Sequence, residues 1–383
     1  LKLRASYGQN GNQTSRYSSI AQVSAIDDFK YVFGDGASTS TGQAITSLAN
    51  NDLTWEKTAG LNIGLDFGIM KSRIRGNVEF YKTTTTDLLW NMVIPEVTGF
   101  SIIKTNIGEV ANSGIEFSIQ AIPVQTKDFG WDLSVNFSAN TNKIVHLFGD
   151  DTNNDGKEDD LISSGLFIGK SIGTIYSYQI DGIYQIADTR PTGYYPGNYR
   201  IVDQNGDGKI SADFDRVFLA RSEPAFMASL QNNLKYKNFT LRVFINSIQG
   251  GKDGYLGSQA TNALTLNSTG NFANANTWTF YDFWSVTNPD AKYSVNYQAP
   301  QILAERYSSR SFIRLQDISL AYQMNPSIIQ KIGIEGLKLY VSGKNLLTIT
   351  DWDGWDPETN QGISSTTPYP VMKSFTLGVD LAF

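Results

Sequence analysis

The stretch that most limits how this chain can fold is its last one, Tyr369 to Phe383. From Val371 onward, Val371, Lys373, Phe375, Leu377, Val379, Leu381 and Phe383 fall on one side, and Met372, Ser374, Thr376, Gly378, Asp380 and Ala382 on the other. Successive strand side chains point to opposite faces, so the stretch reads as a strand with one apolar face and one small or polar face. A water-soluble sandwich buries one strand face and would alternate in the same way. Repetition at membrane-spanning length separates the two readings, because a transmembrane strand takes about 9 to 11 tilted residues with apolar side chains toward lipid.

The alternation recurs along the whole chain. Leu1 to Tyr7 shows it, as do Thr58 to Phe67, Arg73 to Thr85, Gly114 to Ala121, Trp131 to Ala139, Ala225 to Tyr236, Phe239 to Ser247, Phe312 to Met324 and Leu337 to Thr348. Short turns alternate with long loops at residues 8–52, 87–103, 147–221, 249–307 and 349–368. That asymmetry matches outer-membrane barrels, whose periplasmic turns are short and extracellular loops long. The expected fold is all-β: part of a transmembrane antiparallel β-barrel, with about 10 to 12 strands in this chain. Residues 161–185 are expected not to cross, because Gly165, Gly169, Gly173 and Gly182 interrupt them. A single helical turn is expected at Pro326 to Lys331, since Pro is tolerated at a helix start.

Composition agrees. Charged residues make up 18% and aromatics 12% of 383 residues, with 34 Gly, a mixture that favours strands and turns. The mean hydropathy of -0.26 is compatible with a barrel, whose lumen and loops are polar. No run reaches the roughly 18 apolar residues of a membrane helix. A net charge of -6 without a basic cluster gives no footprint for nucleic acid. Cysteine is absent, which excludes disulfides and thiol chemistry. The chain opens in mid-strand at Leu1, so a fragment is expected, with the rest of the barrel and the targeting signal outside it.

Several segments resemble the SusC/RagA-type TonB-dependent outer-membrane transporters of Bacteroidetes. They are Leu3 to Gln13, Leu53 to Gly68, Asn106 to Phe117, Val202 to Arg216 (VDQNGDGKISADFDR), Ser311 to Tyr322, Leu339 to Glu358 and the final strand, in the family's order. The resemblance implies a barrel of about 22 strands, of which this is the C-terminal portion. It also implies an internal plug and a TonB-binding segment, both outside this chain, and a SusD-like surface lipoprotein as a lid. The implied function is import of nutrient oligomers across the bacterial outer membrane, glycans in most described members and peptides in some. A non-transporting barrel acting as adhesin or assembly scaffold is the alternative.

Several local motifs carry both a functional and a plainer structural reading. Asp203, Asn205 and Asp207 with Gly208, the Lys209 carbonyl and Ser211 match the first half of a Ca2+ loop. Position 12 is Phe214 instead of a bidentate acid, although Asp213 and Asp215 flank it, and a polar Asx-Gly turn is the favoured reading. Asp151, Asn153 and Asp155 form a weaker copy. The lone His146 has no Ser and acid constellation about it, and no motif supports catalysis. Phe67, Trp131, Phe239 and Phe383 suit an interfacial girdle at the periplasmic strand ends. Trp278, Tyr281, Trp284, Trp352 and Trp355 fall in extracellular loops, where exposed rings would meet ligand or partner. For Trp352 and Trp355, in DWDGWDPE, a small core stabilising the loop is an equal expectation.

Overall fold

The computed structural model describes residues 1–13, 17–32, 36, 39–254, 282–294, 300–329, 333–354, 356–358 and 371–383, without side-chain placement at 26–29 and 96. Ten strands form one antiparallel sheet in which each strand pairs with its neighbour in sequence. They are β1 (Lys2–Asn12), β2 (Glu56–Ile69), β3 (Ile74–Thr86), β4 (Glu109–Gln125) and β5 (Phe129–His146). The sequence continues through β6 (Pro224–Tyr236), β7 (Phe239–Gly250), β8 (Phe312–Gln323), β9 (Gly336–Thr350) and β10 (Ser374–Ala382). The chain is thus a run of antiparallel barrel strands, as its alternation implies, and not one sheet of a sandwich.

Short connections follow β2, β4, β6 and β8, and long ones follow β1, β3, β5, β7 and β9. In the first short turn Met70, Lys71 and Ser72 all adopt positive φ, and Arg73 N–H closes it on the Met70 carbonyl at 3.2 Å. The turn after β8 carries the helix α1 (Pro326–Ile329), with Pro at the first helical position. The Asn325 side chain accepts the Ser327 N–H at 3.1 Å, so the helix begins on a capping residue. The remainder of the expected turn, 330 and 331, lies outside the described residues.

Several strand boundaries differ from expectation. β1 runs on to Asn12, β4 begins at Glu109 and ends at Gln125, and β5 reaches His146. Pro123, expected in a turn, therefore lies inside β4. It is tolerated because the neighbouring strand has run out: Ile122 N–H bonds the Arg73 carbonyl, one residue before β3 begins. The first loop is not only polar linker, since Gln22–Val32 pairs with Thr39–Ser47. Leu89–Val93 likewise pairs with Ile102–Asn106. Thr174–Tyr178 and Ile180–Ile183 pair with Arg216–Arg221 and Tyr199–Ile201 and not with the ten-stranded sheet.

The described residues divide into two compact units: Leu1–Asp66 with Asn77–Ile115 and Asn140–Ile172, and the remainder. Buried apolar residues sit almost wholly in loops and at strand ends. In the first unit they are Val110, Ile144 and Phe167; in the second, Tyr184, Tyr194 and Ile201 form a cluster under Tyr178, Ile210 and Ile302. Aromatic rings also cover interior-face glycines. A Cβ at Gly378 would lie 2.2 Å from the Tyr340 ring, and one at Gly114 2.4 Å from the Tyr81 hydroxyl, so each ring needs the bare backbone beneath it.

Candidate functional site

Burial in the sheet runs opposite to that of a water-soluble protein. On β2, Leu61, Ile63 and Leu65 are exposed, Ile63 by 43%, while Asn62 and Asp66 between them are partly buried and Gly64 is buried. On β9, Leu339, Val341, Leu347 and Ile349 are exposed, Leu347 by 54%. An exposed apolar band of this extent marks a surface made for a non-aqueous neighbour, and in a barrel wall that neighbour is lipid.

The opposite face is polar and internally bonded. Arg4 donates to both Asp66 oxygens at 2.9 Å and to Glu79 at 2.7 Å, and Asn62 donates to Glu79 at 3.2 Å. Elsewhere on this face Arg75 meets Gln120, Asn136 meets Ser229, Arg242 meets Gln231 and Lys338 meets Asp380. One polar side chain breaks the outer row. Asn232 faces lipid, and the Trp131 indole N–H donates to its carbonyl oxygen at 3.2 Å.

A bulge keeps the two faces consistent along β8. Leu315 pairs with Ile245 and Asp317 with Phe244, so Gln316 is the extra residue. Ile313 and Leu315 face outward at odd positions; past the bulge Ile318, Leu320 and Tyr322 do so at even ones. Without that residue the second half would turn its apolar row inward.

At the loop end of β8, Arg314 is 1% exposed on the interior face. Its guanidinium donates to Asp356 at 2.7 Å, to Glu358 and to Thr348 at 3.0 Å, and lies 4.8 Å from the centre of the Phe312 ring. Next to it Arg310 donates to the Pro357 carbonyl at 3.1 Å. These two arginines pull the 351–358 segment onto the sheet. Asp353 in that segment accepts from Lys292, from Ser308 at 3.2 Å and from Tyr293. Burial would push the Asp353 carboxyl up, but the Lys292 ammonium and the Tyr293 hydroxyl outweigh it and hold it below the usual carboxylate value. Burial, with the Asp353 hydrogen bond, pushes the Tyr293 hydroxyl well above the ordinary phenol value.

This arrangement corrects part of the aromatic expectation. Trp284 and Trp352 do not present their rings: they are 5% and 6% exposed. Trp284 is held by its indole N–H on Gln185 at 2.9 Å and by backbone pairing with Tyr293, and the Trp352 N–H bonds the Thr350 hydroxyl. A long loop with fixed form must bury something, and these rings serve that need. Trp278, Tyr281 and Trp355 lie outside the described residues. Sequence reasoning missed Arg314, Asp356 and Glu358. Their signal was a lone arginine at an interior position beside an acid-rich loop.

The 203–215 loop closes on itself. Asp203 accepts the Gly206 and Gly208 amides, each at 2.7 Å, Asn205 accepts that of Asp207, and Asp207 that of Lys209. The fully buried Asp215 accepts the amides of Gln204 and Ser211. Asp213 and Phe214 are exposed. Among the described residues no three acidic side chains converge as a metal cage would need. The geometry is that of successive Asx turns. His146 is exposed and meets Glu158 at 3.1 Å.

Along its whole length the chain is 33% identical to TonB-dependent receptor P3 of Formosa agariphila, matching 39% of that protein. It is 32% identical, again over all of its length, to TonB-dependent receptor SusC of Bacteroides thetaiotaomicron, matching 37% of it. The chain belongs to the SusC/RagA-type TonB-dependent receptors. This receptor chain spans about two fifths of the length of the curated relatives it matches, and no protein-family model matches it. Among solved structures, that of the RagAB peptide transporter superposes with a TM-score of 0.73 over the whole chain and 40% of its own, at 24% identity. The receptor's fold is therefore that of a TonB-dependent barrel, and its place is the bacterial outer membrane.

Proposed function

We propose that this chain forms part of the wall and mouth of an outer-membrane importer of nutrient oligomers. In this reading a SusD-like surface lipoprotein encloses ligand against the loops, and TonB, acting through a part of the protein outside this chain, drives the opening. The observation that carries it is the inverted wall: an apolar outside, a hydrogen-bonded polar inside, and long loops alternating with short turns, the last of the long loops held by Arg310, Arg314 and Asp353. Such a wall makes a wet passage, and structured loops make a chamber at its entrance. The names of the related receptors support coupling to TonB.

The test uses the full-length protein in its own cells. Deleting the gene is expected to abolish uptake of a fluorescent oligosaccharide or oligopeptide from a panel of both, and a tagged protein is expected to co-purify with a surface lipoprotein. Unchanged uptake across the whole panel, with adhesion lost instead, would overturn the import reading in favour of a scaffold.

A further inference from the structure

The first unit contains a cavity of about 430 Å³ at the loop end of the wall. Strand alternation puts Thr85, Val110, Asn112, Asn142 and Ile144 on the interior face, and these form its floor. Leu89, Trp90, Phe148 and Leu166 close it from the loops. On β5 the interior face is polar up to this point, through Asn136, Ser138, Asn140 and Asn142, so the change to Ile144 is local to the cavity. The loop above is fixed: Ile144 and Gly169 exchange backbone hydrogen bonds with each other's neighbourhood, Ile144 N–H to Lys170 and Gly169 N–H to Ile144. Asn142 accepts the Ile172 amide at 2.7 Å. Asn112 is different, since its side-chain amide has no hydrogen-bond partner among the described residues.

We propose that this cavity is a subsite for one apolar side chain, of leucine or phenylalanine size, on an imported oligopeptide. The proposal rests on the importer reading and narrows its substrate class. Three considerations carry it. The volume is about three times that of the roughly 150 Å³ apolar cavity that accepts benzene, so a large side chain fits. The walls are apolar on several sides. A sugar ring carries hydroxyls around its edge, and enclosing it here would strip them of partners; a sugar asks for one flat aromatic face with polar neighbours. An alkyl or aryl side chain loses nothing. Finally, the Asn112 carboxamide offers an NH2 donor group and a carbonyl acceptor, the pair a peptide backbone can answer.

The experiment is calorimetry on the full-length receptor, purified with whatever lipoprotein accompanies it, using the tetrapeptides Ala-Phe-Ala-Ala and Ala-Asp-Ala-Ala and the sugar cellotetraose. The phenylalanine peptide is expected to bind at least about tenfold tighter than the aspartate peptide, without competition from the sugar. Val110→Phe, which narrows the cavity from its floor, is expected to reduce that preference. Asn112→Ala, which leaves the packing alone, is expected to weaken both peptides about fivefold. If Val110→Phe fails to assemble, Asn112→Ala decides. An assembled variant that keeps wild-type affinity for the phenylalanine peptide overturns the subsite, as does displacement of that peptide by cellotetraose. Gene-dependent glycan uptake without peptide binding would sink the subsite and leave import standing; uptake independent of the gene would sink import itself.

Discussion

Arg314 and Asp353 hold the 351–358 segment by different means, and their loss has different signatures. Replacing Arg314 with Ala takes the guanidinium away from the buried Asp356, a cost of about 3–5 kcal/mol for breaking such a pair from one side. The segment is then expected to detach, seen as a new protease cut near residue 351 while the barrel stays intact. Replacing Arg314 with Lys is expected to be milder, because a cation beside Asp356 survives. Asp353 answers to pH. Its folded carboxyl is held below the ordinary value of about 3.9, so its contribution is complete above that value and fades as pH falls through the depressed one. Protease resistance of the segment is therefore expected to be flat from neutral pH down to about 4 and to drop below it. Neither anchor stood out in the sequence, where Arg314 is one cation among 31 and its acidic partners lie more than forty residues on. Trp284 was legible as important but not as buried, and Trp352 as either, since an aromatic in a loop serves equally as a platform or as a core.

At the scale of the element, the alternation decided where strands are and the turns decided their order. The strands are nonetheless longer than the alternation that revealed them. β5 continues through Thr141, Asn142 and Lys143 to His146, where the strand has left the hydrocarbon and the alternation lapses, since Lys143 takes an outward position and Ile144 an interior one. The β8 bulge could have been read. Ile313 and Leu315 are odd while Ile318, Leu320 and Tyr322 are even, and only an inserted residue lets all five share a face. Deleting Gln316 is expected to put that second row into the lumen or to break pairing with β7 and β9. The outcome expected is loss of heat-modifiable mobility and failure to assemble, whereas Gln316→Ala should assemble as wild type.

For the molecule as a whole, the inverted wall makes a quantitative demand. Ile63→Arg puts a cation into lipid at mid-strand and is expected to cost about 2–4 kcal/mol in a reversible unfolding titration in bilayers. Asn62→Arg, one position away, enters a wet face beside Asp66 and Glu79 and should change stability by less than about 1 kcal/mol. Equal effects at the two positions would contradict the assignment of faces. The wall was legible because lipid imposes one rule on every strand. The loops answer only to each other and to what they bind, so their pairings and the cavity beneath Phe148 emerge from coordinates alone.

The Trp131–Asn232 hydrogen bond has one more consequence. Residues 147–223 lie between β5 and β6, and a connection that long says nothing about how two hairpins should line up. The carboxamide of Asn232 is turned to the lipid side near the interfacial girdle, so a slip of two residues in either direction would take it from the Trp131 donor. The indole thus acts as an alignment mark: the second hairpin docks on the first at the single offset where that oxygen finds its proton.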